Sequence, residues 1–155
     1  VPQQYFPIFN FSLDKHVEKN VMSLATQTAP VSKTMLWTGR ILSVIPSLFL
    51  LMDGAMKLAK PDFVVEPTVR LGYPESVIVG LGIVLLTCTI LYLIPLTSVL
   101  GAILLTGYLG GAVATHVRVE EGLFPILFPV IIGALLWGGL LLRDARLRAL
   151  LPVRS

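Results

Sequence analysis

The sequence predicts an all-α integral membrane protein, an antiparallel bundle of four transmembrane helices. Its 155 residues are 55% hydrophobic and 14% charged, whereas soluble domains carry about 25% charged residues. Two long runs, residues 76–117 and 122–142, contain no Asp, Glu, Lys or Arg. The first run is about twice the ~20 residues that one crossing needs, and Pro95 lies at its midpoint. It therefore predicts two helices, and the second run predicts one more.

The charge-free runs and the turn residues between them set the predicted helix bounds. We place the membrane helices at residues 35–58, 75–93, 97–115 and 123–142. Thr34 is a suitable N-cap for the first helix, and residues 59–74 are predicted to form a polar loop. Residues 1–34 are a polar N-terminal segment without the apolar stretch of a signal peptide. Residues 35–155 form the membrane domain, ending in a basic tail at the membrane surface.

The distribution of Lys and Arg predicts the orientation of the bundle. Four crossings place both termini on one face, and cytoplasmic loops carry the excess of basic residues. The terminal face holds eight of them and the opposite face four: Lys15, Lys19, Lys33, Arg40, Arg143, Arg146, Arg148 and Arg154 against Lys57, Lys60, Arg70 and Arg118. Without the residues before Met22 the ratio is six to four. Both termini are therefore predicted to be cytoplasmic.

The first helix has too little apolar length for a full crossing. Its charge-free run, residues 41–52, covers only ~18 Å at ~1.5 Å per residue, while the hydrocarbon core is ~30 Å thick. The helix must therefore carry Arg40, Asp53 or both into the membrane. An ionisable residue at such depth costs free energy, and its default interpretation is a functional site.

Mixed charge collects at the extracytoplasmic end of the predicted bundle. The first and third helices cross in the same direction, so their C-terminal ends lie at this face. Tyr108 shares a helix face with His116, and the loops add Tyr73 and several carboxylates. We therefore predict a polar mouth whose binding residues are Asp53, Lys57, Tyr73, Tyr108, His116 and Arg118.

Two interpretations of these residues stay open. Asp53 and Lys57 are spaced for an i,i+4 ion pair, which would either be self-neutralised or leave Asp53 available for a ligand. His116 is either a favourable charge at a helix C-terminus or a proton carrier beside Asp53. The GxxxG spacing from Gly107 to Gly111 is typical of close helix packing.

Several kinds of chemistry lack the residues they need. Cys88 is the single cysteine, which excludes a thiol oxidoreductase of the vitamin K epoxide reductase type, since that reaction needs paired cysteines. His116 and His16 are the two histidines, and His16 lies in the polar segment. No bis-His haem pair or metal site is therefore expected, and no GxGxxG nucleotide loop occurs. The basic residues are scattered at helix ends, so nucleic acid is not an expected partner.

Three segments together resemble the DoxX-like family: Gly54 to Pro61 (GAMKLAKP), Leu71 to Pro74 (LGYP) and Gly107 to His116. The resemblance covers roughly residues 36–152. It implies a four-helix protein of a bacterial or archaeal cytoplasmic (inner) membrane. Some relatives are membrane subunits of thiosulfate:quinone oxidoreductase, and others are linked to redox-stress complexes. Asp53 and Lys57 correspond to the family's lysine-bearing motif, and His116 to the polar end of its third helix.

Two function classes follow. The first is a redox-associated accessory subunit that binds quinone or a small anionic substrate at the extracytoplasmic mouth, with no catalytic residue assigned. The second is a non-catalytic structural subunit that packs against other membrane-protein subunits through glycine-rich helix faces. A transporter function is a weaker hypothesis, because the sequence has no detectable internal repeat or pair of broken helices.

The orientation is testable by cysteine labelling in a Cys88→Ala background. In intact cells, a membrane-impermeant maleimide should label Asp62→Cys, while Ser155→Cys should react only after permeabilisation. Labelling of both positions from outside would overturn the predicted topology.

Overall fold

The computed structural model describes residues 32–150 together with Val17. The predicted polar segment up to residue 31, with Lys15, His16 and Lys19, lies outside the described residues. So do Arg154 and Ser155 of the basic tail.

Every regular element in the described part of the chain is helical, which confirms the predicted fold class. The elements are α1 (Lys33–Ala59), α2 (Asp62–Arg70), a 3₁₀ turn (Glu75–Val77), α3 (Ile78–Leu93), α4 (Ser98–Arg118), α5 (Leu123–Arg143) and α6 (Ala145–Leu150). Four helical segments are long and apolar enough to cross a membrane: α1, Glu75–Leu93, α4 and α5.

Three local predictions need correction. The N-cap of α1 is Ser32, whose hydroxyl accepts from the Met35 amide at 3.2 Å, so Thr34 lies inside the helix. The predicted loop 59–74 contains α2, which begins with Asp62 and ends with Arg70. These charges match the helix dipole at both ends, and the helix continues through Pro67.

The third correction concerns the end of α4. This helix continues to Arg118, three residues beyond the predicted bound, and its last turn contains both Arg118 and His116, the latter at the helix C-terminus as predicted. Basic side chains in a last turn are favoured by the partial negative charge of the free carbonyls. The extension fixes the direction of both side chains relative to the bundle.

The four membrane helices form a closed ring of contacts. The main packing partners are α1 with α3, α3 with α4, α4 with α5, and α5 with α1. Helices α1 and α4, which run in the same direction, therefore lie at diagonally opposite corners. Leu85, Leu105 and Leu136 are fully or almost fully buried between the helices. Large apolar side chains such as Ile45 and Leu96 face outward, as they do in a protein surrounded by lipid.

Close helix approach depends on glycines outside the predicted GxxxG segment. A Cβ on Gly139 would meet the Gly39 carbonyl oxygen at 2.9 Å, so α1 and α5 touch backbone to backbone. Gly82 faces the Gly54 carbonyl in the same way, and Gly101 packs on the backbone of Tyr92. Small residues at such contacts are what allow membrane helices to associate through van der Waals packing.

A buried tyrosine joins three helices near the face that carries the start of α1. The Tyr92 hydroxyl lies 2.9 Å from Ser43 Oγ and donates to the Leu136 carbonyl at 2.7 Å. Arg143 lies over the Tyr92 ring, with its guanidinium carbon 5.1 Å from the ring centroid. These contacts satisfy polar atoms that water cannot reach and hold this half of the bundle closed.

The glycine contact predicts a contrast between two neighbouring substitutions in α5. Gly139→Ala should destabilise the protein by about 1–3 kcal/mol, because the added methyl group overlaps α1. Gly138→Ala is the control, since a Cβ there meets no atom within 4 Å and alanine favours helix by up to ~1 kcal/mol. Thermal unfolding of the two detergent-solubilised variants measures the difference. Equal stability would contradict the backbone contact.

Candidate functional site

A cavity of about 420 Å³ lies at the end of the bundle where α1 and α4 finish and α3 and α5 begin. Its inner walls are mainly apolar: Phe49, Leu50, Leu81, Leu109, Ala112, Phe128, Pro129 and Ile132. Most polar side chains concentrate toward the helix ends: Asp53, Lys57, Thr68, Tyr73, Thr115 and His116. Tyr108 is the exception, since it belongs to the middle of α4. The site therefore has an apolar interior and a polar rim.

Helix α2 and the turn after it cover the cavity on the side away from the membrane. Thr68, Leu71 and Tyr73 line the cavity from this cover. The Tyr73 hydroxyl lies 2.8 Å from Thr115 Oγ. Since the Thr115 hydroxyl already donates to the Gly111 carbonyl, Tyr73 is the donor in this contact. The hydrogen bond ties the cover to α4.

Arg118 holds the same cover from outside. Its guanidinium donates to the Leu71 carbonyl at 2.7 Å. The next residue, Gly72, has a φ of 89°, a left-handed conformation that favours glycine. A Cβ at Gly72 would lie 2.9 Å from the Arg118 guanidinium. Glycine at this position therefore permits both the turn and the arginine contact.

Asp53 and Lys57 form the ion pair that their spacing predicts. Lys57 Nζ lies 2.5 Å from both Asp53 carboxylate oxygens. The side chains retain 16% (Lys57) and 28% (Asp53) of their accessible surface. Both line the cavity, so the pair is a neutral but strongly dipolar part of its rim.

His116 pairs with a residue that sequence analysis did not assign to it. Its Nδ1 lies 2.6 Å from the Glu121 carboxylate, because the chain turns back at Glu120, which has a φ of 54°. If His116 carries a proton, as one of the two interpretations holds, the Glu121 carboxylate competes with Asp53 as its acceptor. Nearby, Lys60 and Glu75 form another ion pair at 2.6 Å.

Five of the six predicted site residues surround the cavity: Asp53, Lys57, Tyr73, Tyr108 and His116. They come from diagonally opposite helices and from the cover. Arg118 does not line the cavity, because its guanidinium is directed to the Leu71 carbonyl. Its position indicates a role in holding the cover in place.

Sequence reasoning missed the apolar half of the site. Phe49 and Phe128 face each other with ring centroids 5.2 Å apart in an edge-to-face arrangement. Nothing in the local sequence distinguishes them from other apolar residues of a membrane helix. Thr115 was not predicted either, although its spacing of four residues from Gly111 places both on one helix face.

The two glycines of the GxxxG spacing do not pack against another helix in the described part of the chain. A Cβ on Gly107 or Gly111 would meet no atom within 4 Å. Both glycines instead line the cavity. The expected close approach occurs elsewhere, at Gly39, Gly82 and Gly139.

Tyr108 supplies a hydrogen-bonding group to the cavity. Its phenol ring is half-buried and lines the site, and its hydroxyl makes no hydrogen bond to another described residue. Among residues 32–150, no group of three His, Cys, Asp or Glu side chains is placed to hold a metal ion. The arrangement suits an apolar molecule that carries a hydrogen-bond acceptor within reach of Tyr108.

The ion pair predicts that one substitution is more harmful than two. Lys57→Gln should destabilise the protein by roughly 1–3 kcal/mol, because it leaves the Asp53 carboxylate partly buried without its cation. This cost lies between the cost of losing one partner of an exposed ion pair and that of losing one partner of a fully buried pair. Asp53→Asn combined with Lys57→Gln should recover most of the loss.

The control for this experiment is Lys60→Gln. It breaks a more exposed pair, in which Lys60 and Glu75 retain 32% and 60% of their side-chain surface, and it should cost at most ~1 kcal/mol. Thermal unfolding in detergent reports all three variants. A double variant less stable than Lys57→Gln alone would contradict the ion-pair argument.

Comparison with known proteins identifies the family. No curated protein and no solved structure matches the chain. The model of the DoxX-like family matches residues 41–139, which span the cavity-lining parts of α1, α3, α4 and α5 together with the cover. The chain thus belongs to the DoxX-like family of membrane proteins.

Proposed function

We propose that the protein binds a quinone at its extracytoplasmic end, as an accessory subunit of a redox system in the bacterial inner membrane. In this proposal both termini are cytoplasmic, as the distribution of Lys and Arg predicts. The electron-transfer cofactors belong to other membrane subunits, because the sequence lacks the cysteine and histidine sets that would hold them.

The Tyr108 hydroxyl carries this proposal, because it lies in a mainly apolar cavity and has no hydrogen-bond partner among the described residues. A phenol hydroxyl in such a place is free to bond to a ligand that supplies an acceptor. A quinone carbonyl is an acceptor, and the quinone ring is planar and apolar. Phe128 and Leu109 provide apolar walls on either side of the cavity interior.

The charge distribution favours a neutral ligand over a small anion. Lys57 is the cation on the cavity lining that does not depend on histidine protonation, and Asp53 neutralises it at 2.5 Å. An anion would have to compete with that carboxylate for the ammonium group. A neutral carbonyl can accept the remaining Lys57 N–H without breaking the pair.

A non-catalytic structural subunit is the second candidate. The observation in its favour is that the titratable groups of the rim are paired within the chain: Asp53 with Lys57, and His116 with Glu121. Under this proposal the pairs only stabilise the mouth. The protein then contributes helix surface to a larger membrane complex.

Removing the Tyr108 hydroxyl should weaken quinone binding. We expect Tyr108→Phe to reduce affinity by about 2–10-fold, the equivalent of one hydrogen bond of ~0.5–1.5 kcal/mol. Equilibrium binding of a radiolabelled benzoquinone to protein in lipid nanodiscs measures the effect. Thr87→Val is the control, because Thr87 is exposed on α3 and bonds to its own helix at the Ile83 carbonyl.

Asp53→Asn with Lys57→Gln separates the two candidates. If the rim binds quinone, the double variant should insert and fold while losing quinone binding and any linked respiration. Unchanged binding and respiration would refute the site and favour the structural subunit.

A further inference from the structure

The most exposed parts of the cavity lining are on the flanks of the bundle. Among the lining residues, Phe49, Gly107 and Gly111 belong to the exposed class. The residues that line it from the cover, Thr68, Leu71 and Tyr73, are all partly buried. The cover therefore shields its part of the lining more than the two flanks shield theirs.

These exposed residues lie at the depth of the lipid tails. Gly111 and Gly107 precede the end of α4 at Arg118 by about 10 Å and 16 Å, at ~1.5 Å per residue. Phe49 precedes the end of α1 at Ala59 by about 15 Å. Openings at such depth lead to hydrocarbon chains, because the apolar core extends ~15 Å from its midplane on each side.

The two flanks differ in what fills them. On the α1 flank, the Phe49 ring packs edge-to-face on Phe128, and Phe128 also contacts Phe124 at 5.8 Å between centroids. On the α4 flank, Gly107 and Gly111 carry no side chain, and a Cβ at either position would meet no atom within 4 Å. The glycine flank is the open one.

We propose that the ligand is a lipid-soluble quinone whose hydrocarbon tail lies across Gly107 and Gly111 and extends into the bilayer. This proposal rests on the quinone-binding function and adds the class of ligand and its route. The ring occupies the cavity near Tyr108, while the tail leaves between α3 and α4. The ligand enters from the membrane, and the cover does not have to open.

The apolar character of the route supports a tailed ligand. Next to the glycines, Leu81 and Ala112 continue the lining with apolar surface, and Leu104 lies exposed one turn before Tyr108 on α4. A hydrocarbon chain lying here replaces lipid contacts with protein contacts and leaves no polar group without a partner. A small polar solute gains nothing from such an opening.

Substitution of each cavity glycine by leucine tests the route. The probes are dimethoxy-methyl-benzoquinone without a side chain and its decyl derivative, bound to full-length protein in lipid nanodiscs. Gly107→Leu and Gly111→Leu should weaken binding of the decyl derivative at least about tenfold, a change of ~1.4 kcal/mol. Binding of the tail-less quinone should change by less than a factor of about three.

Gly110→Leu is the matched control. Gly110 lies on the same helix, is exposed, and has no atom within 4 Å of an added Cβ, but it does not line the cavity. The Gly110→Leu variant should bind both probes with the affinity of the unchanged protein. Thermal unfolding of all three variants checks that each one folds.

The outcomes distinguish this inference from the function on which it rests. If the unchanged protein binds neither probe, quinone binding itself is wrong, and the tail route with it. If it binds both probes and the cavity glycine variants retain the decyl derivative, the tail route alone is overturned. If the cavity glycine variants lose affinity for both probes equally, the glycines contact the quinone ring and not the tail, which would also overturn the route.

Discussion

The ion pair between Asp53 and Lys57 is the constraint on which the polar end of this bundle depends. Asp53 lies about two turns before the end of α1, a depth at which an isolated carboxylate would cost several kcal/mol. Lys57, one turn later, removes most of that cost by approaching both carboxylate oxygens at 2.5 Å. The i,i+4 spacing makes the pair local, so it forms wherever α1 forms.

Because the pair is local, the other helices need not approach Asp53 to neutralise it. The contrast with the opposite half of the bundle shows the consequence. There, the Tyr92 hydroxyl finds its partners on α1 and α5, and Gly39 and Gly139 bring those helices into backbone contact. At the Asp53 end, Asp53 and His116 find their partners within four or five residues along the chain, and Thr115 is bound by Tyr73 of the cover, so the helices can separate and enclose a cavity.

The sequence predicted the four helices and most of the polar rim, since charge-free length and i,i+4 spacing are local properties. It could not predict which residues meet across the bundle. Helices α1 and α4 are diagonal, and the edge-to-face contact between Phe49 and Phe128 joins residues far apart in sequence. Helix α2 was missed for another reason: Pro61 and Pro67 look like loop residues until Asp62 is recognised in a first turn.

The same limit explains why Gly107 and Gly111, predicted to pack against another helix, line the cavity instead. A GxxxG spacing shows only that one face of the helix lacks side chains. Such a face can pack closely against another helix, or it can form the open wall of a cavity. At Gly139 the space is filled by α1, whereas at Gly107 and Gly111 it is left as cavity. An open glycine wall lets another apolar molecule lie against the helix, and the Tyr108 hydroxyl beside it has no hydrogen-bond partner among the described residues. A ligand with an apolar body and a hydrogen-bond acceptor would make use of both features of the cavity.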